Sequence, residues 1–170
     1  REHSEAMDLL QPLGMLLALR VALTIKPGGV MWLAPPCSSW IWLTRHSSGR
    51  DITVEGDLTL ASIVSQNALV ECAVLLMEVL SARGCYWIVE QPASSILWEY
   101  PAMRACLQRR GLRRPAVLDM GAYGGTSVKA THLWGTAPYL YELERTCDGP
   151  QRLLLRLEGC LLYTSPSPRD

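Results

Sequence analysis

Cys37 follows two prolines in Pro35-Pro36-Cys37-Ser38-Ser39, directly after the apolar run Val30-Met31-Trp32-Leu33-Ala34. A second apolar run, Cys85-Tyr86-Trp87-Ile88-Val89, ends in Glu90-Gln91-Pro92. Proline restricts its own backbone and that of the preceding residue, so a thiol and a carboxyl are each held at the end of a strand-like segment. A thiolate set against a pyrimidine can add at carbon 6 and push electron density to carbon 5, which then takes an electrophilic methyl group. This is covalent catalysis, one hard step split into easier ones. A carboxylic acid at ring nitrogen 3 steadies the charge that the addition creates. Cys37 suits the first role. Glu90, at the end of an apolar strand that would keep it protonated, suits the second. Arg45, His46 and Arg50, in the loop after Cys37, are cations that would favour a thiolate if the loop folds back.

The elements that must position these groups follow from the hydrophobic pattern. Residues 5–23 read as a helix that Lys26-Pro27-Gly28-Gly29 ends. Val30 to Ala34 is a short continuous apolar strand, of the kind buried on both faces of a sheet. Residues 37–56 form a long loop, and loops of this length in compact domains are often lids or binding loops; the expectation is that Ser38 to Gly56 closes over the substrate. Asp57 is expected to cap a long helix reaching Arg83, with Leu60, Val64, Ala68, Cys72, Leu76 and Val79 as its core stripe. Strands follow at Cys85 to Val89 and Ala116 to Met120, with a helix from Met103 to Arg110 between them. Ala130 to Gly135 is a fourth strand, half of a hairpin. The alternation of strand and helix predicts an α/β fold with a parallel sheet, helices on both faces, and ligands at the carboxyl ends of the strands.

Length and composition agree with one domain. The chain has 170 residues, enough for a real core. Lys+Arg and Asp+Glu both number 16, so bulk charge does not make this a dedicated polyanion binder. The arginines at 104, 109, 110, 113 and 114 crowd one region, which reads first as a solvated helix end. The six cysteines form no CxxC pair and no His/Cys cluster at metal-ligand spacing; reduced, buried thiols in an intracellular protein are expected, without a metal. The apolar run from Leu9 to Ile25 is interrupted by Pro12, Gly14 and Arg20, and no membrane association is expected. No P-loop and no GxGxxG after a strand is present.

Residues 160–170, CLLYTSPSPRD, resemble the translation of a sequencing adapter; the other reading is a natural Ser/Pro-rich tail. The domain is therefore expected over residues 1–159, with a disordered tail beyond it. The chain begins at Arg1, and it reads as a piece truncated at both ends.

Pro35-Pro36-Cys37 followed by Val89-Glu90-Gln91-Pro92 resembles the Pro-Cys and Glu-Asn motifs of the cytosine-5 DNA methyltransferase family. Tyr123-Gly124, Lys129, Thr131 and Leu133-Trp134 resemble a Tyr-Gly…Lys-Pro-Thr…Trp segment of divergent, phage-like members. The resemblance runs from about Val30 to Leu140, in the family's order. It implies a Rossmann-like methyltransferase sheet, S-adenosylmethionine as methyl donor, and nucleic acid as partner, DNA ahead of RNA, with the target base flipped out. It further implies Cys37 as nucleophile, Glu90 facing nitrogen 3, and substrate contacts from Pro36, Ser38, Ser39, Arg45, Gln91, Pro92, Lys129 and Thr131. A nuclear location would fit such a partner.

The chain also departs from the family. Ser38 stands where members often carry glutamine, and Gln91 replaces the usual asparagine. The Gln-x-Arg-x-Arg motif is not visible, Lys129 matching it in charge only. The glycine-rich donor motif, expected to precede Arg1, is absent from the sequence, as are the closing asparagine motif and a target-recognition domain. This piece alone is accordingly expected to be inactive. Two other readings stay open: an inactive relative serving as a binding module, and an acyl-transfer enzyme using Cys37 with His46 as its base.

Overall fold

A computed structural model describes residues 8–155. Helix α1 spans Pro12–Thr24, with proline in its first turn, where a missing N–H costs no helical hydrogen bond. Strand β1 is Val30–Leu33, and the long helix α2 is Ala61–Ala82. Gly84, at φ +67°, closes α2 and turns the chain into strand β2, Tyr86–Pro92. Helix α3 is Pro101–Arg109, and strands β3, Ala116–Asp119, and β4, Ala130–Gly135, follow. A helical turn over 149–155 reaches the end of the described chain. The glutamate at 5, where the first helix was expected to begin, and the tail at 160–170 lie outside the described residues.

The four strands form one mixed sheet in the order β1-β2-β4-β3. β1 runs parallel to β2, as a strand–helix–strand crossover requires. β4 is antiparallel to both its neighbours and lies between β2 and β3, so the expected hairpin is present and the all-parallel sheet is not. Gly135 is needed where β4 passes β2, since a Cβ there would run into the Trp87 carbonyl.

The helices do not cover both faces. Trp87 and Val89 of β2 join Ala22 of α1, Val70, Leu76, Met77 and Leu80 of α2, and Met103, Cys106 and Leu107 of α3 in one core. Ile88, which points the other way, packs instead with Ala116, Leu118, Leu133, Ala137 and Leu140. α1, α2 and α3 thus lie on one side, and among the described residues the other is covered by the segment around Ala137–Leu143, including a single turn of 3-10 helix, and by the loop carrying Met120 and Tyr123. Trp32 on that open side is 53 % exposed. The chain between Cys37 and Ala61 supplies no helix for the second face, because it is spent in turns that pack beside α2.

The buried face of α2 also differs from the expected stripe. Ile63, Asn67, Val70, Ala73, Leu76, Met77 and Leu80 are buried, while Leu60 and Val64 are exposed. The helix is apolar nearly all round, so its periodicity does not select a face. Asp57 accepts hydrogen bonds from the backbone and hydroxyl of Thr59, making a local turn, and does not cap the helix.

Candidate functional site

The site begins with register. Leu33 pairs with Val89 in the parallel β1–β2 ladder, so the segments that follow, Ala34-Pro35-Pro36-Cys37 and Glu90-Gln91-Pro92, leave the same end of neighbouring strands. Gln91 ties them together. Its side chain, fully buried, donates to the Pro35 carbonyl at 2.6 Å and accepts from Ser95 Oγ at 3.0 Å. A polar residue so placed costs free energy unless both ends are satisfied, and here they are.

Beyond Pro36 the chain turns toward the helices. Trp40 N–H donates to the Cys37 carbonyl at 2.9 Å. Ser39, buried, donates from its hydroxyl to Gln66 Oε1 of α2 at 2.6 Å, and Ser38 contacts the same oxygen at 3.4 Å from an exposed position. Trp40 is fully buried against Tyr100, ring centroids 5.5 Å apart, whereas Trp42, two residues on, is 70 % exposed. Arg45 reaches back to the Ser94 carbonyl at 3.2 Å and lies beside the Trp42 ring. Pro36 lines a small recess of about 180 Å³ with Trp32, Leu33, Leu69 and Ala73. Cys37 is half-buried, and none of the five described cysteines is bonded to another.

Glu90 faces the opposite way. Successive residues of a strand alternate, and Glu90 shares the open side with Ile88 and its cross-strand partner Leu133. A groove of about 480 Å³ lies there, walled by Trp32, Glu90, Tyr123, Lys129, Thr131 and Leu133 among others. Its walls are apolar apart from an ion pair, Lys129 Nζ to Glu90 Oε1 at 3.3 Å, in which the Glu90 side chain is 18 % exposed. The acid expected to stand alone in apolar surroundings therefore has a cation beside it. Lys129 adopts φ +28°, a left-handed conformation unusual outside glycine. Thr131, fully buried, donates to the Lys129 carbonyl at 3.1 Å and pairs with Pro92 across β2 and β4.

Of the expected site residues, Glu90, Lys129 and Thr131 thus share a groove. Cys37, Ser38, Ser39 and Arg45 belong to the adjoining turn, and Gln91 joins the two regions. Cys37 does not line the groove. His46 has its ring 98 % exposed and paired with Asp51 at 2.9 Å, on a separate recess with Ile52 and Leu58. Sequence reasoning missed the structural part taken by Gln66 and Asn67. Two amides side by side in a helix otherwise rich in Val, Leu and Met were the signal.

A methyl donor needs a cradle, and Gly121 and Gly125, in the loop before β4, do not supply one. A Cβ at Gly121 would meet Leu155 and Cys147, and one at Gly125 would meet the Met120 backbone, so that loop is filled by its own chain. It also leads into β4 rather than into a helix N-terminus. At Gly121 and Gly125 this loop therefore offers S-adenosylmethionine no cradle.

No family model, curated protein or solved structure matches this chain.

Proposed function

We propose that the chain is a cytosine-5 methyltransferase-like protein that acts on nucleic acid through a covalent Cys37 adduct, within a Rossmann-like sheet. The observation that carries this reading is the β1–β2 register, with Gln91 bridging to Pro35: it brings the Pro-Pro-Cys turn and the Glu-Gln-Pro end side by side. Cytosine presents an exocyclic amine as donor and ring nitrogen 3 and O2 as acceptors. Glu90 and Lys129, an acceptor and a donor 3.3 Å apart, match that edge in kind. On binding, the base takes the place of their mutual contact.

In the step assigned to this chain, the Cys37 thiol gives up its proton to solvent and the thiolate adds to carbon 6. The C–S bond forms as the C5–C6 double bond opens, and the electron pair spreads over carbon 5 and nitrogen 3, where Glu90, protonated from solvent as the base displaces Lys129, donates its proton to nitrogen 3. S-adenosylmethionine, by family resemblance, would supply the electrophilic methyl group. Pro36, Ser38, Ser39 and Arg45 shape the turn around the thiol, and Thr131 and Pro92 set the floor beside Lys129. DNA is preferred over RNA as partner, with an intracellular, nuclear location to match.

A second reading, a binding module without turnover, is favoured by one observation, the packing of Gly121 and Gly125 against Leu155, Cys147 and the Met120 backbone. The two separate in one experiment. The full chain is incubated with a 5-fluorocytosine oligonucleotide and S-adenosylmethionine and its intact mass is measured. The first reading predicts a covalent complex lost in Cys37→Ala and Glu90→Gln. Oligonucleotide binding with no covalent complex supports the module, and no binding contradicts both.

A further inference from the structure

The segment from Ser38 to Gly56 is tied to α2 through Arg50. The guanidinium is 4 % exposed. Nε donates to Ser39 Oγ at 3.1 Å, Nη2 to Asn67 Oδ1 at 2.8 Å, and Nη1 to the Val54 carbonyl. The planar group lies over the Trp40 ring, 3.3 Å from its centroid. Asn67 in turn donates to the Glu55 carbonyl at 2.9 Å. One cation therefore joins the start of the segment, its end, and α2. No carboxylate forms an ion pair with it among the described residues. Burial pushes its pKa down to about 10, so it is charged at neutral pH.

A buried charge that makes no ion pair among the described residues, with Glu55 acting on it only at longer range, is a costly way to close a loop, and an apolar plug of similar volume would do it at less cost. What the guanidinium adds is direction: its rigid fork aims bonds at fixed angles. One of those bonds ends on Ser39, two residues after Cys37, and Ser39 is held from its other side by Gln66.

We propose that Arg50 is a positioning residue that fixes the Pro-Pro-Cys turn through Ser39 and Gln66, making residues 38–56 a fixed wall of the site rather than a mobile lid. The inference rests on the reading of Cys37 as nucleophile, but its geometry can be tested apart from that chemistry. Iodoacetamide labelling of each thiol is followed by mass spectrometry in the full chain and in Ser39→Ala, Arg50→Met and Arg50→Lys. Loosening the turn raises the Cys37 labelling rate about fivefold in Ser39→Ala and Arg50→Met while buried Cys85 and Cys106 stay slow. Arg50→Lys, which keeps the charge and one donor, recovers part of the change. Adduct formation with the 5-fluorocytosine oligonucleotide falls by about tenfold or more in the same variants. Should Arg50→Met fail to fold, Ser39→Ala alone decides, since it removes the Arg50 and Gln66 bonds to the Ser39 hydroxyl and leaves those of Arg50 to Val54 and Asn67 in place. Cys37 labelling unchanged in Ser39→Ala, or rising together with Cys85 and Cys106, overturns the proposal. If wild type forms no adduct while Cys37 labelling still depends on Ser39, the positioning stands and the methyl-transfer reading falls. If adducts form equally fast in every variant, the positioning falls and the reading stands.

Discussion

Alternate residues of β2 lead opposite lives. Trp87, Val89 and Gln91 face three helices and are fully buried. Tyr86, Ile88 and Glu90 face a thin cover and a groove open to solvent. The helix side is a packed core whose polar groups are spent on structure: Trp87 donates to Ser81, and Gln91 bridges Pro35 and Ser95. The open side keeps a carboxylate, an ammonium and a strained backbone at Lys129 beside apolar walls. Stability is concentrated on one face of the strand, and unspent chemistry on the other.

That division is breakable by substitution. Trp87→Ala should destabilise by about 3–5 kcal/mol in denaturant unfolding, as a large core truncation. Trp32→Ala, on the open side of β1, should cost no more than about 0.5 kcal/mol. Equal costs would erase the distinction. A titration sharpens it next. Burial and the neighbouring Glu78 push the Cys106 thiol, on the helix side, up to about 11 from an ordinary value of 9.0. Its folded form holds the proton more tightly, so its contribution is intact below about pH 9 and is lost as pH rises toward 11, about 2–3 kcal/mol in all. Tyr100, raised to about 12, adds a loss at still higher pH. Cys106→Ala should flatten the first part of that decline, which denaturation midpoints across pH 8–11.5 (about a dozen steps) would show.

Gln91→Leu leaves the Pro35 carbonyl and the Ser95 hydroxyl without their partner and should cost about 1–3 kcal/mol. Glu90→Gln, one residue away on the other face, should change stability by less than about 1 kcal/mol, since it removes only a partly exposed ion pair. The same variant should lose adduct formation. A Glu90→Gln protein that unfolds easily would mean the open face carries structure after all.

Much of the fold was legible in the sequence. The strands at Val30, Ala116 and Ala130 begin where the apolar runs do, and Gly84 and Gly111 mark the ends of α2 and α3. Strand order was not, because insertion of β4 between β2 and β3 depends on long-range pairing that no local pattern encodes. The face of α2 was hidden by its apolar surround. Trp40 and Trp42 carry the same side chain two positions apart, and only tertiary packing, Tyr100 on one side of Trp40 and the Arg50 stack on it, decides that the first is core and the second exposed. At the site, the neighbouring strand ends could be expected from a strand–helix–strand crossover. The direction of Glu90, onto the open face with Ile88 and Leu133, followed from pleat and register that the sequence left open.

The central claim is that Cys37 and Glu90 converge on one pyrimidine although they leave the sheet differently. The most direct measurement is a crystal structure of the full chain after incubation with a 5-fluorocytosine oligonucleotide and S-adenosylmethionine. The account predicts Cys37 Sγ bonded to carbon 6 of the base and Glu90 turned from Lys129 to hydrogen-bond the same ring. A base seated in the groove with Cys37 unbonded, and the Glu90–Lys129 pair undisturbed, would contradict it.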